Sequence, residues 1–67
     1  MTAFSSWFKR NFKDNVDDGA RYLFGMAYGI GAPSSIVWDY LEKTGDKNYN
    51  EETFLKAAKL ILDEGEN

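Results

Sequence analysis

The chain has 67 residues, no Cys, no His and a formal net charge of −3. A chain this short is expected to form a single domain, residues 1–67, held by packing alone, because it has no Cys for a disulfide and no Cys or His to ligate zinc. The negative charge weighs against general nucleic-acid binding, which depends on Lys and Arg neutralising phosphates.

The first element is expected over residues 3–16. Phe4, Phe8, Phe12 and Val16 recur at every fourth position with Trp7 beside them, a helical stripe and not a strand alternation. Asn11 and Asn15 fall on the same stripe and narrow it, so this helix is expected to be the least tied down of the set. Its charge is also distinctive. Residues 1–13 carry Lys9, Arg10 and Lys13 without an acid, whereas residues 14–67 carry five bases against eleven acids. The opening residues lack an apolar h-region and a small-residue cleavage site, so a secretory signal is not expected and a cytoplasmic location is.

Gly19 reads as a break, and Asp17 or Asp18 as the N-cap of a second helix over 18–30. That segment is apolar nearly all round, with Leu23, Phe24, Met26, Ala27, Tyr28 and Ile30, and such a helix is expected at the centre of a bundle. Gly25 and Gly29 lie together on its back. Their spacing predicts that another helix, or a second copy of the chain, approaches the backbone there. Gly31 and Pro33 mark the next turn, and Ser34 or Ser35 caps a third helix over 35–44, with Ile36, Val37, Tyr40 and Leu41 on one face. Gly45 stops it.

Asn50 is placed to cap the fourth helix, 51–64, with Glu51 and Glu52 in the first turn, where the helix dipole favours acids. Phe54, Leu55, Ala58, Ile61 and Leu62 share its apolar face. Glu52, Lys56, Lys59 and Asp63 lie opposite, Glu52 and Lys56 in the favourable i, i+4 order, and Gly65 ends the helix.

No motif here carries recognisable chemistry. Asp46, Asn48 and Asn50 alternate like the opening of an EF-hand calcium loop. The pattern then breaks: Glu51 stands where the turn needs Gly, and Ala57 where a bidentate acid should close the site. The adjacent acids Asp17-Asp18, Glu51-Glu52 and Asp63-Glu64 point about 100° apart on a helix and do not converge on one substrate. They read as caps and solvated positions. Ser34 and Ser35 have no activating base, and the Gly25, Gly29, Gly31 series lacks the strand and the Lys of a phosphate loop. No catalytic residue, metal site or cofactor is therefore expected.

Two membrane readings arise. Residues 22–38 run uncharged for seventeen positions, but Pro33, Ser34 and Ser35 interrupt the run. The N-terminal helix, with Phe4, Trp7, Phe8 and Phe12 beside Lys9, Arg10 and Lys13, has the composition of an interfacial helix. An acidic nucleic-acid mimic is a third alternative, with few acids in excess.

The expected fold is all-α, a compact bundle of three to four short helices. The expected function is non-enzymatic: a small acidic protein that docks on another protein and modulates or inhibits it. Small accessory proteins, those of phages and mobile elements included, share this profile. Eleven of the residues are aromatic, and most are expected in the core; Trp38, however, falls beyond the edge of its helix's apolar face, Tyr22 off the main face of its own and Tyr49 in a loop, and Trp and Tyr dominate binding hot spots. The candidate partner-binding residues are Trp7, Phe8, Lys9, Arg10, Tyr22, Trp38, Asp39, Glu42 and Tyr49. Self-association through the Gly25/Gly29 face is a further possibility.

Overall fold

The computed structural model describes residues 3–29 and 35–64 as four α-helices, α1 (Ala3–Phe12), α2 (Val16–Tyr28), α3 (Ser35–Lys43) and α4 (Glu51–Asp63), with no strand among them. The fold is all-α, a compact bundle of short helices. Ile30, Gly31, Pro33, Ser34 and Gly65, where the sequence places ends, turns or caps, lie outside the described residues. No helix among the described residues is long and apolar enough to cross a membrane.

The first boundary differs from expectation. The apolar stripe continues to Val16, yet α1 ends at Phe12, and the chain turns through Lys13 to Asn15, whose amide donates to the Phe12 carbonyl at 3.0 Å. Val16 therefore begins the next helix. Asn15 takes the N-cap position in place of Asp17 or Asp18, and its side chain donates to the Asp18 carboxylate at 2.7 Å. The two aspartates lie in the first turn, where the helix dipole favours them.

At the other end of the chain the local signals act as read. Gly45 has φ +76°, the left-handed conformation that releases the chain from α3, and its amide donates to the Glu42 carbonyl at 3.1 Å. Asn50 and Thr53 form a reciprocal capping box: the Thr53 amide donates to Asn50 Oδ1 at 3.1 Å, and the Asn50 amide to Thr53 Oγ1 at 3.2 Å. Asp46 ties this box to the loop. Its carboxylate accepts from the Asn48 amide at 3.0 Å and the Thr53 hydroxyl at 3.0 Å, and Lys56 lies at 3.7 Å. These bonds hold the carboxyl of Asp46 below its ordinary range, the Asn48 amide being the largest cause. The alternating Asp46, Asn48 and Asn50 thus organise a helix start. Lys56 pairs with Asp46 and not with Glu52 as its spacing suggested.

The helix with the most buried residues is α4. It buries Thr53, Phe54, Ala57, Ala58 and Ile61, whereas α2 buries only Gly19 and Leu23. Both touch every other helix, and α1 and α3 do not touch each other. The core joins these residues to Phe8 of α1 and to Val37, Tyr40 and Leu41 of α3. Each large side chain so buried stabilises the fold by about 1.5–3 kcal/mol. The expected central place of α2, with the fourth helix packed across it, is shared with α4, which buries more; an all-apolar helix does not itself say which of its faces the neighbours cover.

The glycines are reassigned as well. Gly19 is not a break but lies buried in α2, where a Cβ would come within 2.8 Å of Phe8 Cζ and 3.1 Å of Phe12 Cβ. It lets α1 and α2 close on each other. A Cβ on Gly25 would meet nothing within 4 Å, and one on Gly29 would meet the Gly25 carbonyl oxygen of its own preceding turn. No helix among the described residues approaches either of them.

Candidate functional site

Ten of the eleven aromatic residues fall into two sets of touching rings, and no ring contact joins the sets among the described residues. The first set closes the α1–α2 interface. Trp7 lies 5.1 Å from Tyr22 and 5.9 Å from Phe12, with Phe4 and Phe8 behind them. Phe8 is 0% exposed, which removes it from the candidate partner-binding residues. Its place in the fourfold stripe faces the core, so its ring holds α1 down. The apolar stripe of α1 is thereby used within the molecule, and the basic side chains are what this helix and the turn after it present: Arg10 and Lys13 are exposed and Lys9 is half-buried.

The second set lies over the α2–α4 seam. The Phe24 ring lies 4.9 Å from that of Tyr28, tilted 50° to it, and both touch Phe54 beneath them. Tyr28 meets the edge of Trp38 at 5.7 Å, and Trp38 meets Tyr49 at 5.5 Å. Tyr49 has φ +50°, uncommon for a bulky residue, and its packing on Trp38 offsets the cost of that conformation. Trp38 and Tyr49 are half-buried and act as supports, whereas Phe24 and Tyr28 are 51% and 54% exposed. Asp39 and Glu42 are exposed on α3, and Tyr22 is exposed on the first set. The candidate residues are thus divided between two faces.

Beside Phe24 a groove of about 520 Å³ runs between α2 and α4. Ala20, Phe24, Phe54 and Leu55 line its apolar part, and Asp17, Glu51, Glu52 and Arg21 its charged part. The Arg21 guanidinium already lies 3.6 Å from Asp18, so the rim is predominantly negative. Phe24 and Tyr28 do not stand out from Leu23 in a segment that reads as apolar nearly all round, yet Leu23 is buried and they are exposed. The signal that places them is the row Asp17, Arg21, Phe24 and Tyr28, at i, i+4, i+7 and i+11. A face that begins with two charges is the solvent side of the helix.

A second groove, about 600 Å³, is lined by Lys9, Lys13, Lys59 and Asp63 over Val16 and Leu62. A third polar feature is internal. Tyr40, buried in α3, donates its hydroxyl to the Glu64 carboxylate, and buried Ser5 of α1 hydrogen-bonds the same group. Glu64, which reads in the sequence as a solvated acid, therefore links three helices. These bonds, Tyr40's first, hold its carboxyl below the ordinary range against the opposing effect of burial. Among the described residues no group of three acidic, His or Cys side chains could hold a metal ion.

Comparison with protein-family models, with curated proteins and with solved structures finds no match to this chain.

Proposed function

We propose that this protein acts by contact, docking on another protein through the Phe24/Tyr28 face and the acidic groove beside it, and so modulating or inhibiting that partner. The observation that supports this reading is the adjacent, half-exposed pair of rings over a groove with an apolar floor. In a domain this small, apolar surface left in water is stabilisation forgone, and contiguous exposed apolar surface of this kind marks interaction sites more often than scattered side chains do. Phe54 lies against both rings, and Trp38, itself packed on Tyr49, braces Tyr28. A braced aromatic loses little conformational freedom on binding, which is why such residues anchor interfaces.

The test is affinity capture from the cells that make the protein, comparing the wild type with Phe24→Ser, Tyr28→Ser and Gly25→Arg, each checked by circular dichroism for an unchanged fold. Gly25→Arg adds bulk to this exposed stretch of α2 without touching the core, because its Cβ meets nothing within 4 Å. One dominant partner recovered by the wild type and lost from folded variants is the expected result. A partner captured equally by all four proteins would place the working surface elsewhere.

The second reading is contact with an anionic surface through Lys9, Lys13 and Lys59. Their convergence from α1, the turn after it and α4 on one groove supports it. With the α1 stripe packed inward, that contact is electrostatic and salt-sensitive, without insertion of rings. Flotation with anionic vesicles, repeated after Lys9, Lys13 and Lys59 are replaced by Gln, tests it.

A further inference from the structure

We infer that the occupant of the α2–α4 groove is a cationic amphipathic helix of the partner, its apolar side chains seated on Phe24 and Leu55 and its Lys or Arg side chains meeting Asp17, Glu51 and Glu52. This rests on the docking reading above. Its grounds are shape, charge and the exclusion of the nearest rival.

The groove lies between two packed helices, and the ridges and furrows of such a pair accept a third helix at the usual packing angles. An extended peptide has no sheet edge to join, since the described residues contain no strand. The α2 face from Asp17 through Phe24 to Tyr28 extends roughly 16 Å, matching about three turns of a partner helix. Three acids and one base line the groove, and the base is already beside Asp18. A neutral or acidic helix would leave these carboxylates unpaired against its flanks. A cationic one pairs with them at the rim, where charge sets the choice of partner and the rate of encounter.

The rival is a second copy of this chain. A twofold pairing through this face would set one acidic rim against the other, a like-charge juxtaposition. Nor does the chain's own basic helix fit, because Phe8 of α1 is fully buried in its own core and Phe12 is half-buried against it.

The experiment uses the full chain and three labelled peptides of about 14 residues, enough for the helical turns just described. The first has Leu at i, i+3, i+4 and i+7 with Lys elsewhere. The second replaces Lys by Glu, and the third keeps the first composition with its Leu dispersed around the helix. Fluorescence anisotropy gives relative affinity, and amide NMR shifts give the location. The Lys peptide should bind best, shift Phe24, Glu52 and Leu55, and weaken by about tenfold against the Glu51→Lys, Glu52→Lys double variant, as reversal of two close charge pairs implies. That variant, altered only at exposed positions, should instead gain affinity for the Glu peptide. Equal binding of the Lys and Glu peptides at Phe24 would overturn the cationic occupant and leave the docking reading standing. Absence of shifts at Phe24 and Leu55 with every peptide would overturn both. Self-association of the free protein, detected by sedimentation and abolished by Phe24→Ser, would replace the cationic helix by a second copy.

Discussion

Replacing Gly19, Gly25 and Gly45 by Ala, one at a time, separates three reasons a chain uses glycine, and the structure gives each a sign. Gly25 lies within α2, its Cβ would touch nothing within 4 Å, and its backbone is helical. The change to Ala removes backbone freedom from the unfolded chain and is expected to stabilise by about 0.5–1 kcal/mol. Gly19 lies in the same helix and gains the same propensity term. Its new methyl, however, would sit 2.8 Å from Phe8 Cζ and 3.1 Å from Phe12 Cβ. The Phe8 ring is fully buried and lies 4.8 Å from the Phe12 ring, so it has little room to yield. Overpacking of this kind costs about 1–3 kcal/mol, which exceeds the propensity gain and leaves net destabilisation. Gly45 has open space around it but φ +76°, and Ala there is expected to destabilise by roughly 1–2 kcal/mol through the backbone alone. Thermal unfolding followed by circular dichroism resolves these differences, since 1 kcal/mol moves the midpoint by about 4–8 °C in a domain of this size. The expected order is Gly25→Ala above wild type, with Gly19→Ala and Gly45→Ala below it. A Gly19→Ala protein as stable as wild type would refute the close approach of α1 to α2, and a destabilised Gly25→Ala protein would refute the open face of α2.

Tyr40→Phe is expected to cost about 1 kcal/mol by removing the hydroxyl bond to Glu64, and a double-mutant cycle with Glu64→Gln should give a non-additive pair. Asn50→Ala should cost about 1 kcal/mol in urea unfolding through loss of the capping box. Because the Asp46 and Glu64 carboxyls are held below their ordinary values, each contributes stability that is present above the unfolded-state value near 4 and lost as pH falls through the folded one. Stability should therefore decline with pH below about 4, and Asp46→Asn or Glu64→Gln should flatten that decline; an unchanged slope would refute the assigned bonds. Phe24→Ser should alter the unfolding midpoint far less than Phe54→Ser, since the first ring is half exposed and the second is fully buried.

Much of the architecture was legible in the residues. The apolar spacing of Phe54, Ala58 and Ile61, the Asn50 cap and the Gly45 stop are local signals, and α4 and the end of α3 follow them. The α1 boundary was misread because the stripe from Phe4 to Val16 keeps its period across the turn. Val16 packs beside the core from the following helix, and periodicity does not distinguish that from one continuous helix. The candidate site was half legible. Trp38 and Tyr49 were found as aromatics outside an apolar face, but they proved to be supports. Phe24 and Tyr28, the second of which packs on Trp38, do not stand out from the apolar surroundings of α2.

Composition and periodicity by themselves determined that the protein is all-helical, in four segments, stapled by neither disulfide nor Cys/His-ligated zinc. Those are properties of stretches of about ten residues, set by propensity, caps and turn conformations. Only the tertiary structure decided which side of α2 is covered, which glycine lets two helices close, and that Glu64 bonds to α1 and α3. Each of these depends on residues distant in the chain meeting in space. A helix as uniformly apolar as α2 carries no instruction of its own about which face its neighbours will leave open.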